Sequence, residues 1–168
     1  MFRQAQIAEI DYLTDLVQEC GAFMRANGVD QWLEGYPDRN YIKQDVEEGT
    51  VFVFEDQGLI KTMVVLNEKQ DPEYQDIEWI TPVSSKNLVV HRLATLPEFQ
   101  GQGLGSRMMD FAERFAKEHQ YDSIRLDTFS KNQNNLKFYE KRGYQKVGRT
   151  YLSYRDDADY LCMEKIIL

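Results

Sequence analysis

A run in the middle of the chain, Leu93-Ala94-Thr95-Leu96-Pro97-Glu98-Phe99-Gln100-Gly101-Gln102-Gly103-Leu104-Gly105-Ser106, constrains the fold more than any other stretch. Residues 86–96 ahead of it are apolar and β-branched, and Pro97 ends that strand. Beyond it Leu104, Met108, Phe111, Ala112 and Phe115 recur at helical spacing, with the pattern running out at His119. A strand, a glycine-rich turn and an amphipathic helix therefore follow one another directly. The first turn of a helix has backbone N–H groups with no carbonyl one turn back, and the helix dipole makes that end positive. Glycines let an anion reach those groups without meeting a Cβ, so the turn is a phosphate or pyrophosphate cradle.

The remaining pattern sets the frame for that turn. Asp11 can cap a first helix whose apolar stripe is Leu13, Leu16, Val17, Cys20, Phe23 and Met24, and Asn27-Gly28 stops it. A short helix around 41–48 follows, closed by Gly49. Residues 50–55 and 59–66 read as strands of a hairpin with Asp56-Gln57-Gly58 as the turn. Residues 67–85 are a polar excursion containing Pro72 and Pro82, with a short strand expected at 77–80. Residues 123–128 form a strand, and Ser130 with Gln133 matches a capping box opening a helix over 131–142. Gly143 suits the left-handed stop, and two last strands near 144–155 and 160–167 flank an Asp156-Asp157-Ala158 turn. With 168 residues and no repeat or linker, the expectation is one domain over 1–168 of α/β (α+β) class. Its core is a central mixed, mostly antiparallel sheet of six to seven strands flanked by about four helices.

Composition narrows the partners. The apolar fraction of 42% and charged fraction of 29% suit a globular chain and exclude collagen, coiled coil and disordered tail. A net charge of −8 argues against nucleic acid held on a general basic surface. No apolar run reaches 18 residues and the N-terminus lacks a basic region followed by an apolar one, so no membrane partner is expected and the setting is cytoplasmic. Cys20 and Cys162 stand far apart outside any CxxC pair, so neither a disulfide framework nor a metal site is expected. Between Glu34 and Glu78 lie twelve acids and four bases, which accounts for the whole net charge. That segment is either a solvated acidic face or a field that concentrates cationic ligands.

Residue identity sorts the families that use an anion cradle. A nucleotide phosphate loop needs Gly-Lys-Ser/Thr, and no lysine stands there. The dinucleotide fingerprint needs glycine at 106, where Ser106 stands. Gln100-x-x-Gly103-x-Gly105 after Leu93-Ala94-Thr95 resembles the acetyl-CoA motif of the GNAT superfamily of N-acetyltransferases. A second stretch, Asn132-x-x-Asn135-x-x-Phe138-Tyr139-Glu140-Lys141-Arg142-Gly143-Tyr144, is similar to that family's closing segment.

The resemblance implies acetyl-CoA as cosubstrate, with its pyrophosphate on the N–H groups of Gln100, Gly101, Gln102, Gly103, Leu104, Gly105 and Ser106. It implies that the pantetheine arm pairs with the strand edge at Leu93, Ala94 and Thr95 and that Asn132 hydrogen-bonds the arm. Arg107 either assists with phosphate charge or is a helix-surface arginine. Tyr139 matches the family tyrosine that protonates the departing thiolate, a task a phenol near pKa 10 can perform, and its other reading is a core tyrosine. A base must take a proton from the attacking ammonium. Val89 stands where histone-type relatives carry a glutamate, whereas His91 stands where aralkylamine acetyltransferases carry a histidine. His91 is thus either the base or a structural group, with Glu78, Asp127 and an ordered water as the other candidates.

By the same resemblance the acceptor site maps to residues 28–41 and 67–85, in or beside the acidic segment. The expected acceptor is a cationic small-molecule amine, held by acids and by Trp32, Tyr36, Tyr74 or Trp79 unless those rings serve the core. A protein or peptide amine, a non-catalytic acyl-CoA-binding module, a nucleotide-phosphate enzyme on the same turn, and a homodimer stay open. Lys61-Thr62 departs from the family, which commonly has glycine there.

Overall fold

The computed structural model describes residues 1–152, 155 and 157–167. Among the described residues are seven strands in one mixed sheet, ordered β1-β2-β3-β4-β5-β7-β6, and four α-helices, as expected from the sequence. The strands are β1 (Phe2–Gln4), β2 (Val51–Asp56), β3 (Leu59–Asn67), β4 (Asn87–Thr95), β5 (Ser123–Phe129), β6 (Gln145–Thr150) and β7 (Tyr160–Ile166). The helices are α1 (Ile10–Ala26), α2 (Arg39–Glu47), α3 (Leu104–Glu118) and α4 (Gln133–Lys141). Two compact units divide the residues, one of 1–66 with 91–112 and one of 67–90 with 113–168.

In the first unit, β1 is the strand that periodicity missed, because three residues are too few to display a period of two. It pairs with β2 in antiparallel register, Phe2 opposite Phe54, and the two rings lie 5.0 Å apart. The β2–β3 turn takes left-handed φ values at Gln57 (+53°) and Gly58 (+76°), the geometry that suits the twist of a tight hairpin. Helix α1 begins at Ile10 with Glu9 as its cap, two residues before the expected one. The Glu9 carboxylate accepts the Gln6 N–H at 2.8 Å and Arg3 Nη2 at 2.6 Å, while Asp11 lies inside the first turn and pairs with Arg39 at 2.7 Å. Leu13, Leu16, Val17 and Cys20 are buried as the stripe requires and half-buried Met24 packs on the same core, whereas Phe23 is 42% exposed. Asp38 caps α2, accepting the N–H groups of Asn40 (2.9 Å) and Tyr41 (3.1 Å). These helices pack on Val51, Val53, Met63 and Val65 in one apolar core.

In the second unit, β4 and β5 run parallel, with Asn87, Leu88 and Val89 opposite Ser123, Ile124 and Arg125. β7 pairs antiparallel with both β5 and β6. The strand expected at 77–80 does not form. A 3-10 turn, Pro72–Asp76, precedes that stretch, and the Ile80 and Thr81 N–H groups donate to the Glu164 carboxylate at 2.5 and 3.3 Å. A fully buried carboxylate needs several donors, and the loop backbone supplies two of them. The expected capping box also gives way. Asn132 is the cap of α4, accepting the Asn135 N–H at 3.1 Å, whereas the Ser130 hydroxyl bonds the Asp159 carboxylate. Gly143 takes the left-handed stop at φ +87°. β6 ends at Thr150, short of the expected 155; Ser153, Tyr154 and Asp156, the last of which opens the expected 156–158 turn, lie outside the described residues.

Candidate active site

Within the first unit the strand end and the glycine turn are set by side chains of neighbouring elements. The Leu96 N–H donates to the Lys61 carbonyl at 3.0 Å, and Thr62 Oγ1 donates to the Ala94 carbonyl at 2.7 Å. Thr95 Oγ1 donates back to Thr62 Oγ1 at 3.0 Å, so the Thr62 that departs from the family pattern pins this end of β4. Backbone groups alternate sides along a strand, so Leu93 and Thr95 present theirs to the edge away from Lys61. The Thr95 carbonyl is already engaged there, accepting Gln100 Nε2 and Cys20 Sγ, both at 3.1 Å. Arg92 has a left-handed φ of +51°, uncommon for a side-chain-bearing residue in mid-strand. Its Nη1 donates to Asp45 at 2.9 Å and its guanidinium lies 5.3 Å from the Tyr41 ring centre. His91, next to it, is half-buried on β4.

Among the described residues, no protein neighbour accounts for the glycines of the turn. Gly101 and Gly103 each hold φ +76°, while a Cβ at Gly101, Gly103 or Gly105 would meet nothing within 4 Å. Packing within the chain therefore does not demand glycine at these three places; backbone conformation demands it at two, and the space beside all three is open. The α3 ladder begins with the Arg107 N–H donating to Gly103 at 3.0 Å, which puts the Leu104 and Gly105 amides in the first turn. Buried Leu104 anchors that turn, and Gly101, Gln102 and Gly103 are exposed ahead of it. Of the amides expected to meet a phosphate, that of Gln100 donates within the chain, to the Pro97 carbonyl at 3.2 Å. Arg107 lies 4.4 Å over the Phe54 ring.

Within the second unit lie Asn132 and Tyr139, both buried. The Asn132 side-chain oxygen serves the helix cap. Tyr139 packs edge-on against Phe138 and Tyr144, at 5.1 and 5.7 Å between centres. Burial pushes its phenol above the usual range and the Asp127 charge adds to that, so the hydroxyl keeps its proton at any physiological pH. Asp127 lies half-buried on β5 and accepts the Tyr74 hydroxyl at 2.6 Å. Burial first, and Asp127 second, raises the Tyr74 phenol as well. Val89 is fully buried beside Tyr74 and Cys162 and carries no acid–base group, while Glu78 is exposed.

The aromatics expected to take a cation each have contacts within their own unit. Trp79 has the Arg125 guanidinium 4.4 Å over its ring and Tyr74 packed 5.0 Å away. Trp32 lies in the first unit's core, and Tyr36 packs edge-on to Tyr41 at 5.3 Å. The acidic segment is partly internal too. In the first unit Asp45, Glu55 and Asp56 pair with Arg92, Arg3 and Lys61 at 2.9, 2.6 and 2.7 Å. Sequence reasoning did not find the Tyr74–Asp127 pair or the buried Arg125–Glu164 network. The signal for the latter was Arg125 set between Ile124 and Leu126, and Glu164 directly after the apolar run Leu161-Cys162-Met163.

The family model described as "Acetyltransferase (GNAT) family" matches residues 12–144. This chain belongs to the GNAT family of acetyltransferases. It is 29% identical over 162 residues to the uncharacterized N-acetyltransferase YesJ of Bacillus subtilis, covering 95% of this chain and 86% of that protein. It is 25% identical over 172 residues to the S-alkylcysteine N-acetyltransferase of the same species, covering 100% and 89%. A GNAT-family acetyltransferase of Streptococcus agalactiae has the same fold at a TM-score of 0.83 with 29% identity, covering 99% of this chain and 94% of the other. The GNAT chain described here is thus an acyltransferase of a family that generally uses acetyl-CoA.

Proposed function

We propose that this GNAT enzyme moves an acetyl group from acetyl-CoA to a primary amine of a cationic small molecule, by direct attack in a ternary complex. The observation that carries the reading is the glycine turn. Left-handed φ at Gly101 and Gly103, and open space beside those residues and Gly105, leave the first-turn amides of α3 approachable by a diphosphate. The backbone of Leu93, Ala94 and Thr95 and the side chain of Asn132 would hold the pantetheine arm.

In the transfer step the amine nitrogen attacks the thioester carbon, a C–N bond forms and the C–S bond breaks. The ammonium gives one proton to His91 before attack, Tyr139 gives its hydroxyl proton to the departing thiolate, and the second proton shed by the nitrogen as the amide forms restores the Tyr139 hydroxyl. Holding both reactants together supplies much of the acceleration. A Tyr139 phenol raised by burial is fully protonated at neutral pH, as an acid must be. A small acceptor is favoured by the 25% identical relative named for S-alkylcysteine acetylation, which aligns over this whole chain. We read residues 1–168 as one GNAT domain working in the cytoplasm, a setting consistent with free, buried Cys20 and Cys162.

The test is calorimetry with coenzyme A, followed by acetyl transfer from acetyl-CoA across polyamines, aralkylamines, amino acids, aminoglycosides and short peptides. Binding with turnover of cationic small amines is the expected result. Turnover of peptides alone moves the acceptor to proteins, activity confined to anionic acceptors refutes the cationic reading, and binding without turnover leaves an acyl-CoA-binding module.

A further inference from the structure

The second unit contains a carboxylate whose surroundings suit one job in that reaction. Along β5 the side chains of Ser123, Arg125 and Asp127 share a face, because strand side chains alternate, and their β7 neighbours are Ile166, Glu164 and Cys162. Arg125 is spent: its Nε donates to Glu164 at 3.0 Å, its Nη1 to Gln70 at 2.8 Å and its Nη2 to Thr81 Oγ1 at 2.9 Å. The cation nearest along the strand is therefore directed at Glu164 and the 70–81 loop. Asp127 instead receives the hydroxyl of fully buried Tyr74 on Oδ2 at 2.6 Å, which fixes the carboxylate's orientation. Asp127 itself is half-buried, within reach of solvent.

Two further observations give this carboxylate a direction. Residues 67–85 of the same unit contribute five acids and one base, a local field that attracts cations. The Asp127 charge also reaches the Tyr139 phenol, the group assigned above to the leaving thiolate. Tyr74 and Trp79 do not take the cation with their rings: one is buried against the other, and Arg125 covers Trp79. Tyr74 instead sets the Asp127 carboxylate with its hydroxyl, and Trp79 braces Tyr74 through its indole N–H to the Tyr74 carbonyl at 3.0 Å.

We propose that Asp127, oriented by the Tyr74 hydroxyl, is the residue that binds the ammonium group of the acceptor amine. This inference rests on the acetyltransferase reading above. Asp127 touches the substrate, and Tyr74 is a positioning residue. A carboxylate–ammonium hydrogen bond is stronger than a neutral one, and it selects amines that arrive protonated over weakly basic amines that arrive neutral.

The experiment uses the full chain, acetyl-CoA and every amine that the wild type acetylates, each paired with its β-fluorinated, weakly basic analogue. Asp127→Asn should raise KM for the protonated amine by about tenfold or more, leave KM for acetyl-CoA unchanged, and shift KM for the neutral analogue far less. Tyr74→Phe keeps the ring and removes the hydroxyl, and should shift KM the same way by a smaller factor. Equal KM changes for protonated and neutral amines, or none, overturn the assignment. Should Asp127→Asn fail to fold, Tyr74→Phe decides by the same split between the two amine types. A wild type that binds coenzyme A but acetylates no amine overturns the transfer reading and this inference with it. A wild type that acetylates amines while both variants keep their acceptor KM overturns the inference alone.

Discussion

The Arg125 guanidinium and the Glu164 carboxylate meet at 3.0 Å with almost no solvent access to either side chain. Glu164 also accepts Thr81 Oγ1 (2.5 Å) and Ser123 Oγ (2.6 Å). The pair thereby ties the loop carrying Trp79 and Thr81 to β5 and β7. Removing one partner of a buried pair costs far more than the pair contributes, because the other charge stays buried. Glu164→Ala should therefore lower unfolding free energy by ~3–5 kcal/mol in urea melts. The double variant Arg125→Met/Glu164→Leu should recover part of that loss, with the remainder due to the Ile80 and Thr81 amides, which lose their acceptor.

Stability should depend on acid through the same residue. Burial alone would raise the Glu164 carboxyl, but hydrogen bonds from Ser123, Thr81, Arg125 and the Ile80 amide outweigh it and hold the group below the usual carboxylate range. The folded state then binds fewer protons than the unfolded state across that window. Its stabilisation is complete above the unfolded value, ~4.3, and is lost as pH falls through the folded value. Urea melts between pH 7 and pH 3 should steepen downward below about pH 5 in the wild type and do so less in Glu164→Gln.

Gly105 separates ligand binding from folding. It lies in the first helical turn with ordinary φ and open space around its Cβ position, so Gly105→Ala should leave the fold intact or stabilise it by up to ~1 kcal/mol. The same methyl group stands where a diphosphate would lie, and coenzyme A affinity should fall at least tenfold in calorimetry. Gly103→Ala adds backbone strain at φ +76° and should lower both stability and affinity.

Tyr139→Phe keeps the aromatic packing against Phe138 and Tyr144 and deletes only the hydroxyl. Under the proposed role kcat should drop by ~10²–10⁴, the range for a general acid, while KM for acetyl-CoA holds. Steady-state kinetics with a single amine acceptor measure the split. Unchanged kcat would remove Tyr139 from the chemistry and leave it as a packing residue.

Both thiols should be inert in the folded protein. Burial pushes Cys20 up to about 12, and burial with the Asp127 charge does the same to Cys162. Thiolate is the reactive form, so a disulfide reagent at pH 8 should label neither cysteine in buffer and both in urea. Rapid labelling of either one without denaturant would contradict its packing.

Much of the architecture could be read along the chain. The glycine turn after β4, the stripe of α3, the Gln57–Gly58 hairpin and the Gly143 stop are local signals, set by φ preference and periodicity within a few residues. The family motifs are equally local, so the GNAT resemblance could be read from residues 100–106 and 132–144 alone. What failed was wherever a side chain had a better partner far away. Ser130 left its capping role for Asp159, and residues 77–80 gave up a strand because Glu164, more than eighty residues on, needed the Ile80 amide.

The amino-acid order by itself therefore determined the strand–turn–helix with its glycines and the helix bearing Tyr139, since both depend on backbone conformation within a few residues. Only the tertiary structure decided that Tyr74 would present a hydroxyl to Asp127 rather than a ring to a cation, and that Arg125 would be spent on Glu164. The reason is that a buried polar group takes whichever partner the fold brings within hydrogen-bond range, and nothing in the neighbouring sequence specifies that partner.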